Sequence, residues 1–312
     1  MSSAGKLVSG PVPPQMHVFV RDWLSANHVV LRSRDGGIVI DTGYGKHAPL
    51  TLALVASRMG LDGAPLRRIV NTHCHSDHMG GNAALARAYG CPIAIPAADA
   101  RPIEAWDEQA LLLSYAGQKA ERFAADELLE AGSTQVWGDL EWQLIAAPGH
   151  DMSALVFYNP EHRILISGDA LWENGYGFVM PPEVDPAALP AARATLETIA
   201  HLDVAYVVPG HGEPFTDVNA ALDRAFRRTS MFEADPLRMA RHALKVVLAF
   251  DLLDRERMPL ASLPTFVAET PLFRDFNARF LQRTPDDLAH ELVADLERVG
   301  AVRRQDGDLL PA

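Results

Sequence analysis

Cysteine is nearly absent from this chain: Cys74 and Cys91 are the two present among 312 residues. They cannot build a disulfide framework, so a reducing, cytoplasmic setting is expected. Long apolar runs are missing too. No stretch approaches the ~20 apolar residues that a membrane-spanning helix needs. The N-terminal MSSAGKLVSGPVPPQ holds no apolar run of signal-peptide length, and no membrane role is expected. Basic residues are in deficit, with 28 Lys+Arg against 40 Asp+Glu and a net charge of −12. That balance makes nucleic acid an unfavoured main partner, although a local basic patch stays open. What the chain has is apolar side chains, 48% of the total, enough for one large domain or one domain with a small appendage.

Short β-branched runs alternate with helical patterns, which says α/β. Strands are predicted at Ile38–Ile40, Ile69–Asn71, Ile93–Ile95, Trp142–Ala146, Ala154–Tyr158, Arg163–Ser167 and Val204–Val208. Helices are predicted at Ala83–Tyr89, Ala110–Leu129 and Pro186–His201. Many of these strands run into a small polar or glycine-bearing motif: Asp41-Thr42-Gly43, Pro148-Gly149-His150, Gly168-Asp169 and Pro209-Gly210-His211. Loops at strand ends are where α/β proteins build sites, so these ends surround one point if they share an edge. After about Asp217 the pattern turns helical. Asp235-Pro236 and Thr284-Pro285 read as helix starts, and a short hairpin is predicted to turn at Asp306-Gly307. Helices closed by a hairpin suggest a winged-helix-like appendage.

The densest chemistry lies in NTHCHSDHMGGN, residues 71–82. Taken alone, it could serve one metal ion, two or none. In extended chain, side chains two apart share a face, so His73, His75 and Asp77 point one way and Cys74 the other. Asp77 and His78 sit where the chain turns toward the next helix. Imidazole and carboxylate together suit zinc, with iron or manganese served by the same atoms. The strand-end residues complete two sets: His73, His75 and His150 for one ion, and Asp77, His78 and His211 for the other. Asp169 can offer one oxygen to each.

With Asp41-Thr42-Gly43, THCHSDHMGGN, PGH at 148–150, GD at 168–169 and PGH at 209–211, the sequence resembles the metallo-β-lactamase superfamily over roughly residues 15–217. The resemblance implies a four-layer αββα sandwich over residues 1–232, with residues 233–312 forming the C-terminal helical, winged-helix-like domain. It implies two zinc ions and a metal-bridging hydroxide that attacks a small ester, thioester or lactone. Asp77 would carry the proton to the leaving group, and Asp41 would orient a ligand histidine. Within the family, the bridging Asp169 argues against antibiotic hydrolysis, and His75 stands where the di-iron oxygen reductases carry glutamate. Quorum-lactone hydrolases place a tyrosine where this chain has Trp172.

Two segments are candidates for choosing the substrate. Trp172, Tyr176 and Phe178 lie on a glycine-flanked loop just after Asp169, and an apolar substrate wall is expected there. Trp106, Tyr115 and Phe123 lie in the segment 98–132, where they either face the metals or fill core. The expected partner is a small molecule. The alternative is a metal-dependent endoribonuclease or phosphodiesterase that holds nucleic acid with its tail, where Arg224, Arg227, Arg228, Arg238, Arg241 and Lys245 form a basic stripe. The tail is also a candidate surface for a homodimer.

Overall fold

The computed structural model describes residues 5–7 and 10–312; residues 1–4, 8 and 9, part of the stretch read above for a signal peptide, lie outside the described residues. Among the described residues, the strands form three sheets. The first contains β1 (Lys6–Leu7), β2 (Met16–Val20), β3 (His28–Ser33), β4 (Gly36–Ile40), β5 (Leu66–Val70), β6 (Ile93–Pro96) and β7 (Glu127–Leu129), in that order. The pairs from β1 to β4 are antiparallel, and those from β4 to β7 are parallel. The second contains β8 (Thr134–Trp137), β9 (Leu140–Ala146), β10 (Leu155–Asn159), β11 (Ile164–Gly168) and β12 (Tyr206–Pro209), ordered β12-β11-β10-β9-β8.

Strand alternation explains the layering. Val29, Leu31, Ile38, Ile40 and Val70 meet Leu144, Phe157, Ile164, Ile166 and Val208 in the core between the sheets. Their neighbours Val30, Val39 and Ile69 face outward, against α1 (Ala48–Ala56) and α3 (Asn82–Tyr89) through Val55 and Leu85. On the other side Val156, Leu165 and Val207 pack on α6 (Ala188–Ala200) and α7 (Val218–Ala234), through Leu189, Leu196, Ile199 and Leu222. The result is helix, sheet, sheet, helix. These strands are buried on both faces, and so they read as continuous apolar runs.

The C-terminal appendage is built from α8 (Pro236–Arg255), α9 (Leu263–Glu269), α10 (Pro271–Phe276) and α11 (Pro285–Arg298). A three-stranded antiparallel sheet of β13 (Met258–Pro259), β14 (Val302–Gln305) and β15 (Asp308–Pro311) joins them. The Asp235 and Thr284 side chains accept from backbone N–H groups at the starts of α8 and α11, as N-caps do. The β14–β15 turn has positive φ at both Asp306 (53°) and Gly307 (86°), the geometry a two-residue hairpin requires.

One predicted element did not form. After α4 (Ala100–Ala105), residues 110–129 make α5 (Leu113–Ala116), then irregular chain, then β7. Leu111 and Leu113 both enter the cluster outside the first sheet, which a regular helix could not put on one face. Ala116 instead joins the appendage core. Leu112 and Gly117 take left-handed backbone (φ 58° and 74°) to allow this split, so tertiary packing overrides a helix-favouring composition. Trp106 and Phe123 pack edge to face beside that first cluster, while the Tyr115 hydroxyl donates to Asp275 of α10 at 2.9 Å.

Candidate metal centre

The site stands at one edge of the two sheets. After β5 the chain leaves the sheet as Asn71-Thr72-His73-Cys74-His75 and then makes the single turn α2 (Ser76–Met79). That turn is pinned: the Thr42 N–H and the Asn71 side chain both donate to the His78 carbonyl, at 2.7 and 3.1 Å. His150, Asp169 and His211 arrive from the ends of β9, β11 and β12, which run in one direction. Cys74 turns away, buried in the cluster outside the first sheet.

The side chains gather as two groups. One nitrogen each from His73, His75 and His150 lie within 4.8 Å of one another, and so do ligand atoms from Asp77, His78, Asp169 and His211. Asp169 lies between the groups. Its Oδ2 is 3.4 Å from His150 Nε2, and its Oδ1 is 3.3 Å from His78 Nε2. His75 Nδ1 approaches His150 Nε2 at 2.9 Å, and His211 Nε2 approaches Asp77 Oδ2 at 2.9 Å.

The far nitrogens are held by acceptors. His78 Nδ1 donates to Asp41 Oδ2 at 2.8 Å, and Asp41 also accepts from the Thr72 backbone and hydroxyl. His150 Nδ1 donates to the Phe178 carbonyl at 2.6 Å, and Asp151 Oδ2 lies 3.4 Å from His75 Nε2. Such partners fix tautomer and ring direction, leaving the other nitrogen's lone pair for a ligand. His73 Nε2 and His78 Nε2 are buried without a hydrogen-bond partner, which a native core rarely tolerates. Unpaired imidazole nitrogens and convergent carboxylates are what divalent cations satisfy, so these residues fit two metal ions.

Electrostatics agrees with that fit. Burial, reinforced by the neighbouring imidazoles, holds His73 well below its ordinary pKa, and burial takes His75 down to about 4. Both are therefore neutral at neutral pH, as metal-binding imidazoles must be. His78 goes the other way. Burial opposes its charge, but Asp41, Asp169 and Asp77 outweigh it and raise it well above the usual range. Burial likewise pushes Asp169 up, yet His78 and His211 prevail and hold it well below the carboxylate range. The carboxylates of the second group thus draw positive charge, and a metal ion there would take the place of the proton that they hold on His78.

A cavity of about 480 Å3 opens on these residues. Trp172 and Phe178 line it, and Trp172 Nε1 donates to Asp169 Oδ1 at 3.2 Å. Tyr176 does not line it. Its ring is buried in the core under α6 and α7, with its hydroxyl 2.9 Å from the Thr229 hydroxyl, so the loop presents only its other two aromatics. Two residues escaped sequence reasoning. Trp23 stacks on His211 with its centroid 5.6 Å away and also lines the cavity. Asp151 directly follows His150 in the chain, and that adjacency was the one signal for it.

A family model described as the metallo-beta-lactamase superfamily matches residues 21–211. A hydroxyacylglutathione hydrolase from Bdellovibrio bacteriovorus is 29% identical over 36% of this chain and 37% of its own length. An acyl-coenzyme A thioesterase from Bos taurus is 25% identical over 66% of this chain and 78% of its own. The chain spans between 37% and 58% of the length of the first hydroxyacylglutathione hydrolases it matches. A beta-lactamase domain protein from Burkholderia ambifaria shares the fold, with a TM-score of 0.62 and 19% identity over 100% of this chain and 96% of that one.

Proposed function

The chain belongs to the metallo-beta-lactamase superfamily, and from that premise we propose that it is a two-metal hydrolase of a small ester or thioester, with a lactone as the cyclic variant. The observation that carries this reading is the pairing of two ligand groups around a shared Asp169. Bound there, two ions would supply an activated water and Lewis acidity toward a carbonyl oxygen. We take zinc as the metal, and His73, His75, Asp77, His78, His150, Asp169 and His211 as the residues that would hold it.

The rest falls to the chain's own side chains. Asp41 and Asp151 orient His78 and His75. The Trp172 indole N–H fixes the Asp169 carboxylate. Asp77 faces the cavity, held by His211, and there its carboxylate can carry a proton to the leaving oxygen or sulfur. We treat residues 1–232 as the catalytic domain and 233–312 as the domain that roofs it. Two free, buried cysteines accord with a reducing cytoplasm, and no described helix is long and apolar enough to cross a membrane.

The nuclease alternative has less behind it. Arg241 and Lys245 are engaged by Asp295, and Arg224 and Arg228 donate to the Glu173 and Asn174 carbonyls. A panel of thioesters, aryl esters, lactones, phosphodiesters and RNA, run with defined metals, tests the choice. Turnover of an ester or thioester is expected. Turnover of phosphodiesters or RNA alone would overturn it.

A further inference from the structure

The cavity beside the metal ligands is closed on its far side by the appendage. Val246, Phe250 and Leu253 recur at helical spacing along α8 and turn one apolar stripe into it. Leu112 and Ala116 face the same space from the segment around α5. Among the described residues, the ionisable side chains in the lining are His75, Asp77, His150, Asp169 and His211, all from the two ligand groups, with no lysine or arginine beside them. Gln118 is a further polar side chain there, and its Oε1 accepts from the Ser76 hydroxyl at 2.6 Å.

A carboxylate or phosphate pushed against the α8 wall, away from the ligand groups, would lose water and find no lysine or arginine there to pair with. An alkyl chain would lose nothing. The wall is also fixed in place. The Tyr44 ring meets Phe250 edge to face at 5.5 Å, its hydroxyl donates to Asp254 at 3.3 Å, and Lys46 pairs with Glu256 at 2.6 Å. These contacts tie the C-terminal end of α8 to the loop after β4.

We infer that this cavity seats the apolar acyl chain of the substrate against α8, while the polar or charged carrier stays in solvent. The inference rests on the hydrolase reading above and names its substrate class: acyl thioesters or esters with an extended hydrocarbon chain. In the reaction, water's oxygen bonds to the acyl carbon as the bond from that carbon to sulfur or oxygen breaks. One proton of the water ends on the leaving thiol or alcohol, the other is released to solvent, and the acyl chain leaves as a carboxylate.

The test uses the full-length, metal-loaded protein and two substrate series. One series is the thioesters of N-acetylcysteamine from acetyl to dodecanoyl; the other is the acetyl thioesters of alkanethiols of matching lengths. In the acyl series kcat/KM is expected to climb roughly fourfold per methylene until the cavity is full, and in the thiol series to stay level. A level acyl series, or a rise confined to the thiol series, overturns the inference. Binding of 1-decanol, read by the emission of Trp23 and Trp172, tests the cavity without turnover. Saturable binding with no hydrolysis of any ester supports the cavity and overturns the hydrolase reading; hydrolysis without saturable binding overturns the cavity. Ala249→Phe, which fills the space from α8, should move the acyl optimum to shorter chains. An unchanged optimum would count against the assignment.

Discussion

Asp151 Oδ2 lies 3.4 Å from His75 Nε2, while the opposite ring nitrogen of His75 meets His150 Nε2 at 2.9 Å. One histidine is thus gripped from behind by the residue that follows its partner ligand in sequence. A carboxylate behind a ligand imidazole fixes the tautomer and raises its basicity. Asp151→Asn should therefore weaken metal at the three-histidine group by about 10–100-fold and leave the other group less affected. Competition against a chromogenic chelator measures both affinities. Equal affinities in wild type and variant would remove Asp151 from the account.

Close packing of backbone on ligands gives a second prediction. A Cβ at Gly210 would overlap Asp169 Oδ1, and one at Gly177 would lie 2.6 Å from His150 Nδ1. Gly210→Ala and Gly177→Ala should each lower metal content without unfolding the sandwich. Metal analysis beside circular dichroism checks this. Full loading of both variants would show that the ligands have slack that the packing does not suggest.

The Trp172 indole donates to a carboxylate, a hydrogen bond to a charged group. Trp172→Phe keeps the apolar wall and removes the donor. Loss of about tenfold in kcat/KM is expected, the worth of a charge-assisted hydrogen bond, with metal content near wild type. Unchanged kcat/KM would mean that Asp169 is held by other contacts.

Asp99 supplies a pH test on a carboxyl that is itself in neither ligand group. Burial, then the neighbouring Asp151, pushes its carboxyl up to about 7. The folded state therefore holds this proton more tightly than the unfolded chain does. The stability so gained is complete below about pH 4, the unfolded carboxyl's range, and is lost as pH rises through about 7. Asp99→Asn should flatten that dependence. Between about pH 5 and pH 8 wild type should lose roughly 1–3 kcal/mol more than the variant, read from urea midpoints. Parallel pH curves would contradict the shift.

The residues of the two clusters were legible in sequence because the segments that carry them leave strands in short, glycine-bearing stretches. Within residues 73–75 local spacing set which side chains turn to the site: His73 and His75 gather there while Cys74 enters the core. The lining was less legible. Tyr176 reads as a wall residue beside two glycines, yet its hydroxyl found Thr229 and its ring the core. Trp23 reaches His211 from far away in the chain, a contact that no local pattern encodes. Segment 110–129 has helical composition, but its side chains are shared between two cores. Strands β2, β3 and β8 also went unread, because their short runs mix apolar residues with His17, His28 and Gln135. The roof provided by α8 depends on where the appendage docks, which composition leaves open.

The central claim is a site for two ions sharing Asp169, and metal stoichiometry tests it most directly. Titration of metal-free protein with zinc, followed by elemental analysis after gel filtration, should give two ions per chain. Asp169→Ala should retain no more than one of them tightly. Saturation of the wild type at one ion or none, or a variant that still binds two, would contradict the account.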